Sequence, residues 1–238
     1  MAPHGRRDAP AVLITGGGRG IGRATAVAFA AEGYRVAIAE LRDALGRSAA
    51  RALRRSGAEA LILLADVADP AAAERAAREV RRAYGRIDCL VNNAGILRVG
   101  PLAKLPAGAI ERILAVNLRG PLLMTRAVLP AMVRRHAGAI VNVASLLGKM
   151  GMGDYVTYCA SKFGVVGMTE ALADELRGSG VSVWAVCPGQ VDTAMARAAG
   201  ASAADRAGLI RPETVARVIL DLATGRRRAP SGAAVDVT

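Results

Sequence analysis

The 238-residue chain is 53% apolar but only 3% aromatic, so a sizeable core has to pack on Ala, Val, Leu and Ile. Its formal charge of +12 comes mostly from arginines scattered over separate stretches with no aromatics between them, the pattern of a solvated basic surface and not of a nucleic-acid groove built on base stacking. No apolar run approaches the roughly 18 residues of a membrane span. The odd set Cys89, Cys159 and Cys187 is widely spaced and suits neither a disulfide framework nor a metal site, as expected for a reducing, cytoplasmic compartment. His4 and His136 lie in polar stretches, which disfavours a histidine triad or a zinc centre.

Residues 1–10 read as a disordered basic tail, too polar for a secretory signal, and residues 11–238 as one domain without a linker. A first strand at 11–15 runs into Gly16-Gly17-Gly18-Arg19-Gly20-Ile21-Gly22, and a helix follows to about residue 31. Strand, glycine turn and helix N-terminus together make a phosphate site, because glycine admits close backbone approach and the helix end favours negative charge. The second strand, 35–39, closes at Glu40, about twenty residues past the loop, where a carboxylate holds ribose hydroxyls. A helix at 41–56, a strand at 60–65 ending at Asp66, and a helix opened by Pro70 and running to Tyr84 follow in turn. A fourth strand, 87–91, leads into Asn92-Asn93-Ala94-Gly95. This alternation predicts a parallel sheet covered on both faces, with ligands gathering beyond the strand carboxyl ends, where Glu40, Asp66, Asn92 and Asn93 fall.

The second half repeats the pattern with longer helices. Residues 109–135 read as mostly helical with Asn117 inside, Pro121 marking a break and Pro130 a kink. A strand at 139–144 delivers Ser145 at its end, and the Gly- and Met-rich loop 146–154 suits an adaptable apolar wall. Helix 155–177 carries Tyr158 and Lys162, and strand 181–187 closes at Pro188-Gly189. Residues 194–208 read as an irregular lid, before a helix at 212–223 and a last strand at 233–237. Leu97, Leu146, Leu147, Met150, Met152, Gln190 and Met195 are the expected pocket lining, which fits an apolar substrate with few polar handles.

Tyr158 and Lys162 stand four residues apart, and such pairs share a helix face. For a tyrosine to act as a base near neutrality its pKa must fall by about 3 units, or about 4 kcal/mol. One ammonium about 4 Å away, at an effective dielectric of about 20, supplies about that much. Lys162 is therefore expected to lower the Tyr158 phenol, while Ser145 offers a hydroxyl to the substrate oxygen. Tyr155 lies seven residues from Lys162, about 10 Å along a helix, and is assigned to the pocket wall.

On these residues the chain resembles the short-chain dehydrogenase/reductase family over nearly its whole length. Thr15 to Gly22 matches the family's T-G-x-x-x-G-x-G cofactor loop, Asp66-Val67 its adenine-contacting acid, and Asn92-Asn93-Ala94-Gly95 its N-N-A-G segment. Asn117, Ser145, Tyr158 and Lys162 match the catalytic tetrad, and Pro188-Gly189-x-Val191-x-Thr193 the segment that seats the nicotinamide amide. The resemblance implies an α/β, Rossmann-like, doubly wound parallel sheet of about seven strands, and hydride transfer between a nicotinamide cofactor and a secondary alcohol or ketone. It implies Tyr158 as general acid/base, Ser145 orienting the substrate oxygen, Lys162 holding the nicotinamide ribose, Asn117 placing a water, and a homo-oligomer, dimer or tetramer. Departures are the ending Val235-Asp236-Val237-Thr238 in place of D-G-G, and a short lid. Glu40 favours NAD, whereas Arg19, with help from Arg42, favours NADP. A 2′-phosphate would meet the Glu40 carboxylate with about 4 kcal/mol of repulsion per unit charge, so NAD is the expected cofactor; pairing of Arg19 with Glu40 is a further expectation. An NADPH-dependent 3-oxoacyl thioester reductase, suited by the basic surface, and a non-catalytic dinucleotide sensor are the alternatives.

Overall fold

Strands that are apolar on both faces need cover on both, and the chain supplies it with alternating helices. The computed structural model describes residues 9–200 and 208–238. Seven strands, β1 (Ala11–Thr15), β2 (Arg35–Glu40), β3 (Ala60–Leu64), β4 (Cys89–Asn92), β5 (Gly138–Val143), β6 (Val181–Pro188) and β7 (Ala234–Val237), form one parallel sheet in the order β3-β2-β1-β4-β5-β6-β7. Every residue of β1 and β2 is buried. The order reverses between β1 and β4, which opens a crevice at their carboxyl ends.

Successive β1 side chains feed opposite layers. Leu13 joins a core with α3 (Pro70–Tyr84) and α5 (Gly120–Arg134), around Ala76, Val80, Met124, Val128 and Met132. Val12 and Ile14 join the other core, made with α1 (Gly20–Ala31), α2 (Asp43–Arg55) and α8 (Pro212–Ala223), around Phe29, Leu53 and Ile219. Local chemistry sets the helix ends. Asp69 accepts from Ala71 N at 2.9 Å and Pro70 opens α3, while Gly85, at φ 75°, closes it in the left-handed region.

The 109–135 stretch divides into α4 (Ala107–Leu114), a π-helical turn (Ala115–Arg119) and α5. Proline at 121 has no N–H to give the carbonyl of Asn117, and the chain resolves this with the wider turn, in which Gly120 N donates to Ala115 O. The first five residues after Thr193 form α7 (Ala194–Ala198) where an irregular segment is expected, because the Thr193 hydroxyl accepts from Ala196 N at 3.3 Å. The rest of the lid expectation, 201–207, lies outside the described residues, as do 1–8 of the basic tail and with them His4. Ala9 and Pro10 of that tail are anchored: Ala9 O accepts from Arg35 Nη2 at 2.6 Å and Pro10 O from Arg35 N at 2.8 Å. Among the described residues no helix is long and apolar enough to cross a membrane, and no cluster of His, Cys, Asp or Glu is arranged to hold a metal. All three cysteines are buried and free.

One polar ladder crosses the first core and fixes α5 and α6 (Val156–Glu175) on the sheet. Asn92 Nδ2 donates to Thr125 Oγ1 and to Asn142 Oδ1, and Asn142 Nδ2 donates to Thr169 Oγ1 at 2.9 Å. Breaking it strands buried polar groups, at about 1–3 kcal/mol. Asn142→Leu is expected to lower the unfolding free energy by that amount, read as a lower urea midpoint with an unchanged slope; an unaltered midpoint would show that the ladder contributes nothing to docking α6.

Candidate active site

At the mouth of the crevice the glycine turn is clamped from below. Thr15 Oγ1 accepts from Asn93 N and Ala94 N, each at 3.0 Å, and Asn93 Nδ2 donates to Thr15 O and Gly16 O. Packing is tight enough that a Cβ on Gly22 would lie 2.4 Å from both Asn93 Nδ2 and Gly16 O. Gly20, at φ 53°, faces Thr193, whose methyl would stand 3.2 Å from an added Cβ. Above the turn α1 begins at Gly20 with no side-chain cap and no acid in its first turn, so its leading N–H groups are left for a ligand. That donor set fits a dinucleotide pyrophosphate.

The adenosine end of the cleft holds two carboxylates. Glu40, 9% exposed at the end of β2, accepts from Gly18 N at Oε2 and from Arg42 N at Oε1, each at 3.1 Å. The expected Arg19–Glu40 pair does not form, since two backbone donors already hold the carboxylate; among the described residues Arg19 and Arg42 make no ion pair and both line the cleft. Asp66 accepts from Ala68 N at 3.0 Å and pairs with Arg112 at 2.9 Å. Val67 is buried beside it, and a Cβ on Gly120 would reach its side chain at 2.9 Å.

At the other end, α6 carries Tyr158 and Lys162 against the end of β5. Lys162, 4% exposed, donates from Nζ to Val143 O at 2.7 Å, and that ammonium lies 5.6 Å from the Tyr158 ring centroid. Ser145 accepts from Leu147 N at 3.1 Å and stands near enough to the Tyr158 phenol to favour its charged form. Asn117, in the π-helical turn, accepts from Ile96 N at 2.8 Å and donates to Ile96 O and Ser161 Oγ. Ser161 Oγ in turn donates to Tyr158 O at 2.7 Å. A Cβ at Gly95 would stand 3.5 Å from Asn117 Oδ1 and 3.9 Å from Lys162 Nζ, which brings the N-N-A-G segment to the same spot.

In the protein alone the phenol is not lowered. Burial pushes Tyr158 up to about 12, with the Ser145 hydrogen bond pulling the other way. Burial also lowers Lys162, to about 8. The sequence argument counted only the attraction between the two groups; in the folded chain burial opposes the charged form of each.

One cleft of about 440 Å³ brings together Gly16, Arg19, Gly20, Ile21, Glu40, Asp66, Val67, Asn93, Ala94, Gly95, Ser145, Tyr158, Lys162, Pro188, Gly189, Val191 and Thr193. Leu97, Leu146, Leu147, Met150, Met152, Tyr155, Gln190 and Met195 form its wall, as expected from the sequence. Asn117 and Gly22 stand behind that lining. Sequence reasoning missed Arg112 and Ser161, whose partners lie on other elements or on the chain's own backbone; the Thr15 hydroxyl it placed only as part of a motif.

A family model described as short chain dehydrogenase matches residues 10–204. The chain belongs to the short-chain dehydrogenase family. It is 36% identical to a sorbitol dehydrogenase of Cereibacter sphaeroides, over 98% of this chain and 89% of that one. It is 34% identical to a 3-oxoacyl-[acyl-carrier-protein] reductase of Thermotoga maritima, over 98% and 97%. Among solved structures it resembles a levodione reductase, with TM-score 0.90, 31% identity and coverage of 96% and 95%. A variant actinorhodin polyketide ketoreductase with NADPH gives TM-score 0.90, 34% identity and coverage of 100% and 97%. This short-chain dehydrogenase is accordingly an NAD(P)-dependent oxidoreductase acting on CH–OH groups.

The buried lysine has a thermodynamic signature. Its folded pKa near 8 lies below the unfolded value of 10.5, so over that window the unfolded chain binds more protons and the Lys162 contribution to stability rises with pH. Lys162→Met should therefore gain relative stability at pH 7 and lose that gain by pH 10. Parallel Tm differences across the range would show that the lysine is not held against its charge.

Proposed function

We propose that the enzyme interconverts an apolar secondary alcohol and its ketone, with NAD as preferred cofactor and Tyr158 as general acid/base. What carries the reading is that Ser145, Tyr158 and Lys162 line one apolar-walled cleft together, with Lys162 four residues on from the phenol. When bound, a nicotinamide dinucleotide supplies the carbon that exchanges hydride with the substrate. Tyr158 takes the hydroxyl proton on oxidation and returns it to the carbonyl oxygen on reduction, while Ser145 donates a hydrogen bond to that same oxygen. Lys162, directed by the Val143 carbonyl, would hold the nicotinamide ribose when the dinucleotide is bound. Asn117 fixes the strand-end loop through both hydrogen bonds to Ile96.

Support for NAD comes from Glu40, a carboxylate at the end of β2 that would repel a 2′-phosphate. Two relatives point elsewhere by name, the acyl-carrier-protein reductase and the ketoreductase solved with NADPH, so a 3-oxoacyl thioester is the second substrate class to test. Absorbance of reduced nicotinamide should appear with apolar secondary alcohols. Tyr158→Phe should cost about 10²–10⁴-fold in kcat with NAD affinity nearly intact. Retention of more than about a tenth of the rate would remove Tyr158 from proton transfer, and no turnover of any alcohol or thioester would favour a dinucleotide sensor.

A homo-oligomer built on α5 and α6 belongs to the same proposal. Leu122 and Phe163, on those helices, are 47% and 46% exposed, and apolar side chains there suit an isologous interface. Light scattering should report a dimer or tetramer; a monomer at micromolar concentration contradicts it.

A further inference from the structure

The Glu40 carboxylate is held by main chain alone, and its place depends on the absence of a side chain at one neighbouring position. Each of its oxygens accepts one backbone N–H, Oε2 from Gly18 and Oε1 from Arg42, both at 3.1 Å. A carboxylate has about four lone-pair sites, so about two stay free, one for each of two vicinal ribose hydroxyls. Gly18 is not in the left-handed region, so no backbone strain calls for glycine there. Space does. A Cβ at position 18 would lie 2.7 Å from Glu40 Oε2 and 2.8 Å from Leu45 Cβ.

We infer that Gly18 is a specificity-determining positioning residue, whose missing side chain gives the Glu40 carboxylate its seat and so sets NAD against NADP; the inference rests on the NAD reading above. Of the two atoms a methyl group would meet, Leu45 Cβ moves only with the backbone of α2, whereas the carboxylate ends a flexible side chain. The carboxylate yields at little cost, while the contact with Leu45 Cβ pushes the loop and the start of α2 apart; both movements take the carboxylate off the Gly18 N–H and away from its seat. Arg19 and Arg42, without ion pairs among the described residues and lining the same cleft, then face an incoming 2′-phosphate with the opposing charge displaced.

Calorimetric dissociation constants for NAD and for NADP test this without knowledge of the substrate, in the native chain, Gly18→Ala, Glu40→Ser and the double variant. Gly18→Ala should shift the NAD/NADP affinity ratio towards NADP by about tenfold or more. In the Glu40→Ser background the same change should move the ratio by less than about threefold, because the two positions act as one unit. An unchanged ratio in Gly18→Ala, or an equal shift in both backgrounds, overturns the inference, since the methyl would then act on the phosphate loop itself. If Gly18→Ala does not fold, recovery of folding by Glu40→Ser supports the clash with the carboxylate, while recovery by Leu45→Gly and not by Glu40→Ser, or by neither, refutes it. A native chain that binds NADP more tightly sinks the NAD reading, while coupling between positions 18 and 40 still reports on the seat.

Discussion

A buried ammonium organises this site. Lys162 is almost without solvent and meets that cost with a 2.7 Å hydrogen bond to Val143 O, the last residue of β5. A charge left unpaired in such a place costs several kcal/mol, so the bond constrains helix α6 and strand β5 together. With them it constrains Tyr158 on the helix and Ser145 just past the strand. Everything else at this end of the cleft is arranged about that constraint: the Asn117–Ser161 contact braces the helix from behind, and the Asn142–Thr169 bond braces it further along.

The same logic holds at the cofactor end, with neutral donors in place of a charged one. A single hydroxyl, Thr15 Oγ1, accepts from two consecutive N–H groups of the segment following β4, and so joins the glycine turn to its neighbouring strand. The turn is then shaped by near contacts instead of by flexibility. Gly17 stands against Ile38, Gly18 against Glu40 and Gly22 against Asn93, each closer than a side chain would allow. Glycine is used here mostly for the volume it does not occupy, which is how a phosphate-binding backbone comes close to both the sheet and its ligand.

Charge has different uses in different parts of the molecule. On the surface the arginines pair with nearby acids, as Arg226 does with Glu32 and Arg197 with Asp192, and such exposed pairs are worth about 0–1 kcal/mol each. Within the cleft Asp66 is matched by Arg112, whereas among the described residues Glu40 is matched by backbone N–H groups alone. Among the described residues the cleft thus carries one carboxylate without a side-chain partner beside two guanidinium groups without ion pairs, Arg19 and Arg42, and the proposed cofactor choice lies between them.

The strands, most helices, the crevice and much of the cleft lining were legible in the sequence, because apolar runs, glycine turns and four-residue spacing are local signals. The resemblance in motif order carried the tetrad. What stayed hidden depends on groups far apart along the chain. Arg112 meets Asp66, Asn117 reaches both Ile96 and Ser161, and Lys162 turns towards Val143, contacts that no periodicity announces. The π-helical turn at Asn117 and the helix after Thr193 came from hydrogen-bond bookkeeping that a composition of Ala, Leu and Arg does not display. The direction of the Tyr158 shift was likewise a tertiary matter: sequence spacing specifies how near an ammonium can come, but only the folded pocket decides how much water is lost, and here burial raises the phenol.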